Sequence, residues 1–215
     1  MNGVIFLGPA GSGKGTQAQY LRDHLNYAHL STGDMLRDEV GSGSDLGNQV
    51  KAVIDAGDLV SDDIIIQIIK KNVIIQSESR KTGLIFDGFP RTLGQAKALN
   101  LLMDDLELSI ASVVYFDLSL EESINRISGR QIDSRNNHVY HRVSNPASPE
   151  VEPFLVTRKD DLPEKVTHRY HVYLDQTALL LDFYRHQLVH IDCLNSIDDI
   201  RQQIQQLLAS VQCSG

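Results

Sequence analysis

Cysteine is scarce. Only Cys193 and Cys213 occur in 215 residues, too few for a disulfide framework, and both are expected to be reduced thiols. Long apolar runs are missing too. None approaches the roughly 20 residues that a membrane-crossing helix needs. Basic charge is in deficit, with 20 Lys and Arg against 28 Asp and Glu, a net charge of −8 and a pI near 5.4. Such a surface argues against non-specific binding to nucleic acid or to anionic membrane, so neither is an expected partner. It also gives weight to any cluster of arginines, which must act locally against the global sign. The opening "MNGVIFLGPAG" has no basic n-region, so no signal peptide is expected and the expected location is the cytosol. Internal repeats and low-complexity tracts are absent. Hydrophobic content of 41% and charged content of 22% describe an ordinary globule. The length suits one α/β domain with small insertions.

Short apolar runs alternate with helical patterns, which predicts βα repetition and a mostly parallel sheet. Strands are expected near 2–7, 28–31, 84–87, 112–118 and 188–192. Helices are expected over 14–25, 33–41, 46–55, 61–77, 92–104, 120–128, 163–186 and 196–211. In "DLPEKV", Asp161 or Leu162 is placed to cap a helix with Pro163 in its first turn. Ser196 is placed to cap the last helix, ahead of Asp198 and Asp199. Two segments break the alternation. Residues 31–60 carry "GSGSDLG", which reads as a flexible joint. Residues 131–160 lack a helical period, carry the β-type fragments "HVYHRV" and "FLVT", and are long enough to be a lid or an interaction module.

The chemistry starts at "GPAGSGKGT", residues 8–16, immediately after the apolar "VIFL". Gly8, Gly13 and Lys14 fit G-x-x-x-x-G-K, with Gly15 next and the hydroxyl at Thr16, a variant of the Walker A loop. Glycines let backbone N–H groups turn inward, and the following helix start adds more donors for phosphate oxygens. Lys14 would reach the β- and γ-phosphates, and Thr16 a phosphate or the neighbourhood of Mg²⁺. A glycine-rich turn with an incidental lysine is the alternative, and its position between strand and helix argues against it. In "GLIFDGFPRT", Asp87 ends an apolar run, where a Walker B acid would hold the hydration shell of Mg²⁺; a plain strand-end turn residue is the alternative. Phe89 would pack against a base or plug the core. Arg91 follows at a strand C-terminus, where α/β sheets bind ligands. "STGDMLR" places Thr32, Asp34 and Arg37 after a strand, as an anion site or as an ordinary cap and a surface arginine. Arg126, Arg130, Arg158 and Arg169 are each a surface residue taken singly. Together with a phosphate loop they make a cage, since guanidinium groups stay charged and fork onto phosphate oxygens.

These motifs in this order resemble the adenylate kinase family, of the long-lid bacterial type. The resemblance runs through essentially the whole chain and is carried by "GPAGSGKGTQA", "STGDMLR", "AGDLV", "DGFPRTLGQA", "NRISGR", "VYHR" and "TRKDD". It implies a P-loop NTPase-like three-layer α/β core with a five-stranded parallel sheet. The core would be 1–30, 61–129 and 161–215, interrupted by an AMP-binding segment at 31–60 and a lid at 130–160. The implied reaction moves the γ-phosphoryl group of MgATP onto AMP, giving two ADP, so ATP, AMP and ADP are the implied partners and a monomer the implied state. By position, Gly11, Ser12, Gly13, Lys14, Gly15 and Thr16 would hold ATP phosphates. Arg126 would stack on its adenine, Val139 and Tyr140 would line it, and Arg130 would touch the phosphates. AMP would be bound by Thr32, Arg37, Asp58, Leu59, Val60, Gly88, Phe89, Pro90, Arg91, Gln95, Arg158 and Arg169. Gln95 is the implied base reader, because an amide donates and accepts at once and so matches the adenine edge.

Phosphoryl transfer needs alignment and charge compensation more than covalent help. Lys14, Arg91, Arg130, Arg158 and Arg169 are therefore the candidate catalytic cations, with Mg²⁺ entering with ATP. Two closing flaps would keep water from acting as acceptor. The chain departs from the family pattern in a shorter lid, in Gln131 where relatives often carry arginine, and in "DCL" at 192–194 where they carry "DGT". The lid has no cysteine, so although His138 and His141 lie three apart near Asp133, no zinc site of the usual Cys-rich kind is expected. The rivals are a UMP, CMP or GMP kinase and a GTPase-like switch. The second would need N/T-K-x-D, which "TRKD" at 157–160 imitates with its lysine one place late.

Overall fold

A computed structural model describes residues 2–56 and 58–212, without the side chains of 211 and 212. Gly57 of the "AGDLV" stretch and the Cys213 thiol lie outside the described residues. Five parallel strands form the central sheet: β1 (Asn2–Leu7), β2 (Ala28–Ser31), β3 (Gly83–Asp87), β4 (Ser109–Asp117) and, last in sequence, β8 (Leu188–Asp192), in the order β2-β3-β1-β4-β8. The helices are α1 (Lys14–Leu25), α2 (Thr32–Ser42), α3 (Asp45–Ala56), α4 (Asp62–Ser77), α5 (Leu93–Asp105), α6 (Leu120–Ser128), α7 (Pro163–Phe183) and α8 (Ile197–Gln212).

The apolar runs are strands because both faces of the sheet are covered, so no polar alternation is needed. Along β1, Ile5 and Leu7 pack with Leu99, Met103 and Leu180 on one side, while Val4 and Phe6 pack with Ala18, Leu21 and Ile204 on the other. Strand period two thus feeds two cores. α4, α5 and α7 cover one face, and α1 and α8 the other. The result is the three-layer α/β core with a five-stranded parallel sheet. The chain passes from β1 to one side of it and later to the other, so the crevice at the C-terminal end of β1 is where such sheets accept ligands.

Helix starts follow local chemistry. The hydroxyls of Ser31, Thr92 and Ser119 accept the N–H groups of Asp34, Gln95 and Glu122. Ser196 does the same for Asp199 at 3.1 Å, and Leu162 precedes α7 with Pro163 in its first turn. "GSGSDLG" is tighter than a flexible joint. Ser44 Oγ donates to Glu39 Oε2 at 2.7 Å and accepts from Gly47 N at 2.9 Å. A Cβ on Gly47 would stand 2.1 Å from the Glu39 carbonyl oxygen, so only glycine lets α3 pack this close to α2.

Between α6 and α7 the chain builds a small antiparallel sheet, β6-β5-β7, from β5 (Arg130–Asp133), β6 (Val139–His141) and β7 (Leu155–Val156). "HVYHRV" and "FLVT" supply its two outer strands, while β5 carries no apolar run to announce it. The Asp133 carboxylate binds Arg135 at 2.6 Å, and Arg135 lies over the Phe154 ring at 3.9 Å, which ties the turn to the far edge.

Candidate functional site

The strand ends of β1 and β3 open into a cleft of about 810 Å³, roofed by the small sheet. The glycine-rich loop is its floor. Gly13, at φ +94°, caps α1 in a conformation that favours glycine, and nothing stands within 4 Å of where a Cβ would be. The free N–H groups of the first helical turn face this space, a natural seat for anions. Lys14 folds back onto the loop, and its Nζ donates to Gly8 O at 2.8 Å, Pro9 O at 2.7 Å and Ser12 Oγ at 3.1 Å. Burial lowers its pKa to about 8, with Asp87 opposing and Arg91 assisting.

Asp87 ends β3 beside the loop. Burial would raise its pKa, but the 3.0 Å hydrogen bond to His29 and the charges of Lys14 and Arg91 hold it below the ordinary carboxylate value. Its carboxylate lies 3.5 Å from where a Cβ on Gly15 would be. With the Thr16 hydroxyl in the same cleft, this is a donor set of hard oxygens, of the kind that suits Mg²⁺.

The arginines converge. Arg91, Arg130, Arg158 and Arg169 all line the same cleft as Lys14. Arg91 projects into open solvent there, yet the dense walls lower its pKa to about 10, through desolvation first and the neighbouring Arg169 second. Its Nε donates to Gly88 O at 2.8 Å. Arg158 is likewise lowered to about 10, by desolvation, then Arg37, then Arg130. Arg169 is lowered by desolvation against the pull of Asp160, which it meets at 2.7 Å. Arg130 pairs bidentately with Asp161, with Nε at 3.0 Å from Oδ2. The lowered pKa values of Lys14, Arg91, Arg158 and Arg169 come first from desolvation, so bringing in a polyanion would favour their charged forms.

Arg126 lines the cleft as well. Arg126 is fixed in plane by Glu122 Oε1 and by the carbonyl of Cys193, each at 2.7 Å. Val139, Tyr140, Asn195 and Ile197 line the same cleft, and together with Arg126 they are the candidate base slot. The "DCL" departure is accommodated without loss of the wall: Cys193 is fully buried, its thiol pushed up to about 11 by burial, and Leu194 turns outward. Gln17 Nε2 donates to Ile197 O at 2.9 Å, fixing the loop.

A recess of about 60 Å³ adjoins the cleft, lined among others by Thr32, Arg37, Asp58, Leu59, Val60 and Gln95. Gln95 is almost fully buried. Its Oε1 accepts Arg91 N–H at 2.8 Å and its Nε2 donates to Asp62 at 2.7 Å. Those bonds fix the amide's orientation and leave one N–H and one lone pair uncommitted. Thr32 Oγ1 donates to Gly88 O at 2.9 Å.

Every residue assigned from the sequence to the ATP, AMP or Mg²⁺ site lines the cleft or its recess, with one exception. The Phe89 ring is 1% exposed and packs in the core near Phe86, so its side chain meets no base; Gly88, Pro90 and Arg91 are what that turn offers the cleft. Sequence reasoning gave Asp161 only a place as a possible helix cap and Asp160 none, yet they hold Arg130 and Arg169; it gave none to His29, Gln17 and Gln19. The alternation of cation and carboxylate in "TRKDD" was the available signal for the first two. The others carry none. The His138 ring lies 4.8 Å from that of Tyr140, tilted by 55°, and His141 Nδ1 accepts the N–H groups of Val143 and Ser144. No three His, Cys, Asp or Glu side chains gather to hold a metal among the described residues.

Compared with known proteins, residues 6–189 match the family model described as adenylate kinase. An adenylate kinase of Chloroherpeton thalassium is 41% identical over 216 residues, covering 96% of this chain and 98% of the relative. One from Stenotrophomonas maltophilia is 40% identical and one from Thermosipho africanus 38%, each covering 94% of this chain and 96% of the relative.

Proposed function

Because the chain belongs to the adenylate kinase family, and so transfers the terminal phosphoryl group of ATP reversibly to AMP to give two ADP, we propose that the cleft described above is where it does so. The division of labour is as follows. Gly11, Ser12, Gly13, Lys14, Gly15 and Thr16 seat the ATP phosphates, and Arg126, Val139 and Tyr140 hold its adenine. Thr32, Arg37, Asp58, Leu59, Val60, Gly88, Pro90, Arg91 and Gln95 form the AMP site, with Arg158 and Arg169 reaching its phosphate. Segments 31–60 and 130–160 act as the two flaps on a core of 1–30, 61–129 and 161–215.

The single supporting observation is the convergence of Lys14, Arg91, Arg130, Arg158 and Arg169, from five separate places in the sequence, on one cleft. No side chain need act as a base. The cations hold donor and acceptor phosphates in line and take up negative charge on the oxygens as the phosphoryl group moves. Lys14 exchanges its three loop contacts for phosphate oxygens. Mg²⁺, entering with ATP, would be held through its waters by Asp87 and near Thr16, and supplies further charge neutralisation. The roof of small strands excludes water, the competing acceptor.

The proposal includes a zinc-free, cytosolic monomer that binds neither nucleic acid nor membrane. The acidic surface and the few cysteines support this. A coupled assay of ADP formation from MgATP with AMP, CMP, UMP and GMP tests the whole reading. AMP is expected to be preferred by orders of magnitude; equal use of another monophosphate would overturn the acceptor assignment. Metal analysis that found one zinc per chain would overturn the zinc-free part.

A further inference from the structure

Gln19 lies on α1, five residues beyond Lys14, and is 4% exposed. Its amide is used at both ends, and both partners belong to the roof. Nε2 donates to the carbonyl of Asn137 at 2.8 Å, and Oε1 accepts the N–H of Val139 at 3.3 Å. These two backbone groups flank His138 on the approach to β6. The amide therefore sits where a peptide unit of a neighbouring strand would sit. An amide side chain donates from one atom and accepts at another at any pH, which neither an apolar side chain nor a carboxylate can do. An apolar replacement would leave a carbonyl and an N–H unpaired in a closed roof, while a carboxylate would set oxygen against oxygen at Asn137.

The helix that carries Gln19 also starts at the glycine-rich loop. At 1.5 Å per residue, Lys14 and Gln19 stand about 7.5 Å apart along one rigid element. The start of that helix faces the proposed phosphate seat, and its middle docks the segment whose next residues, Val139 and Tyr140, line the cleft at the proposed base slot. The geometry points to Gln19 as a positioning residue for the donor nucleotide: it docks the roof onto the phosphate-loop helix and sets where Val139 and Tyr140 stand over ATP. It touches no reacting atom. The inference rests on the reading of that slot as the seat of the ATP base.

Calorimetric titration of the full chain with MgATP, without AMP, tests it between pH 5.5 and 8 in wild type, Gln19→Met and Gln19→Glu. Gln19→Met removes two hydrogen bonds at similar volume, and should weaken ATP binding about tenfold at every pH. Gln19→Glu should be at least as weak at pH 8. Its deficit should shrink as pH falls, because the protonated acid regains a donor for Asn137 while still accepting from Val139; ATP binding should then take up a proton. His138 between the two docked groups, Asp23 on the same helix and the Asp133–Arg135 pair in the roof also carry charge. All are present in Gln19→Met, whose ratio to wild type should stay flat. Gln19→Glu tracking Gln19→Met at every pH would overturn the proposal. So would wild-type affinity in both, even with lowered melting temperatures, since that is a structural role only. A wild type that binds no ATP would sink the site reading itself, and is distinguishable from either result.

Discussion

One oxygen of Asp34 receives two arginines: Oδ1 lies 2.6 Å from Arg37 Nη2 and 2.8 Å from Arg158 Nη2. The two cations come from segments far apart in sequence, one on α2 and one just past β7. Each would repel the other at this range, and Arg37 is the second cause of the lowered pKa of Arg158. A built-in carboxylate therefore stands where two guanidinium groups converge, as a substrate phosphate would.

Asp34→Asn follows from that arrangement. It removes the anion and leaves two partly buried guanidinium groups facing each other. Stability should fall by about 1–3 kcal/mol, read from denaturant unfolding. Inorganic phosphate should raise the melting temperature of the variant more than that of wild type, because it fills the vacated charge. Equal shifts in both proteins would show that Asp34 does not occupy an anion position.

Arg91, unlike Arg130, Arg158 and Arg169, lines the cleft with no carboxylate within ion-pair distance, and its Nε donates to the Gly88 carbonyl. It is thereby free to meet moving charge. Arg91→Ala should lower kcat by about 10³ or more, the scale of a transition-state arginine. Arg91→Lys should recover little, because a point charge cannot reproduce a planar fork. A loss within about tenfold would end its catalytic assignment.

Lys14 gives a pH prediction with a definite sign. In the empty cleft burial lowers its pKa to about 8. Bound phosphate favours the charged form and raises it. ATP binding at pH values just above 8 should therefore take up a proton, and affinity should decline as pH rises further. Calorimetry in buffers of different ionisation enthalpy reads the proton count. Lys14→Met should abolish the uptake and flatten the decline.

Much of this site was visible in the sequence because its chemistry is local. A phosphate loop needs its glycines, lysine and threonine within nine positions, and parallel strands buried on both faces must be short apolar runs. The strand placements hold for that reason, and Arg91, Thr32 and Gln95 are legible from their motifs. What was not legible depends on distant partners. Asp34 and Arg158 are 124 positions apart, and Gln19 meets residues 118 and 120 positions away. Nothing in either stretch announces the other. "GSGSDLG" misled by composition: small residues that suit a loose joint equally suit a corner packed so closely that only glycine fits. Phe89 is ambiguous in sequence because a ring beside a ligand and a ring in a core look alike, and only the turn at Gly88 decides which way it points.

Gln95 is the residue proposed to carry the choice of acceptor. Its Oε1 is committed to Arg91 N–H and its Nε2 to Asp62, so the amide cannot flip without setting donor against donor at Arg91. The uncommitted N–H and lone pair therefore have fixed directions in the wall of the recess. Adenine offers an adjacent donor and acceptor that match them; a pyrimidine with the pattern reversed would leave a buried polar group unpaired, at about 1–3 kcal/mol. Gln95→Ala should raise KM for AMP and shrink the preference over UMP by about tenfold to a hundredfold, with kcat at saturating AMP much less affected. Steady-state kinetics with both acceptors separates the outcomes: a uniform fall in kcat with selectivity intact would mean that Gln95 supports Arg91 and does not read the base.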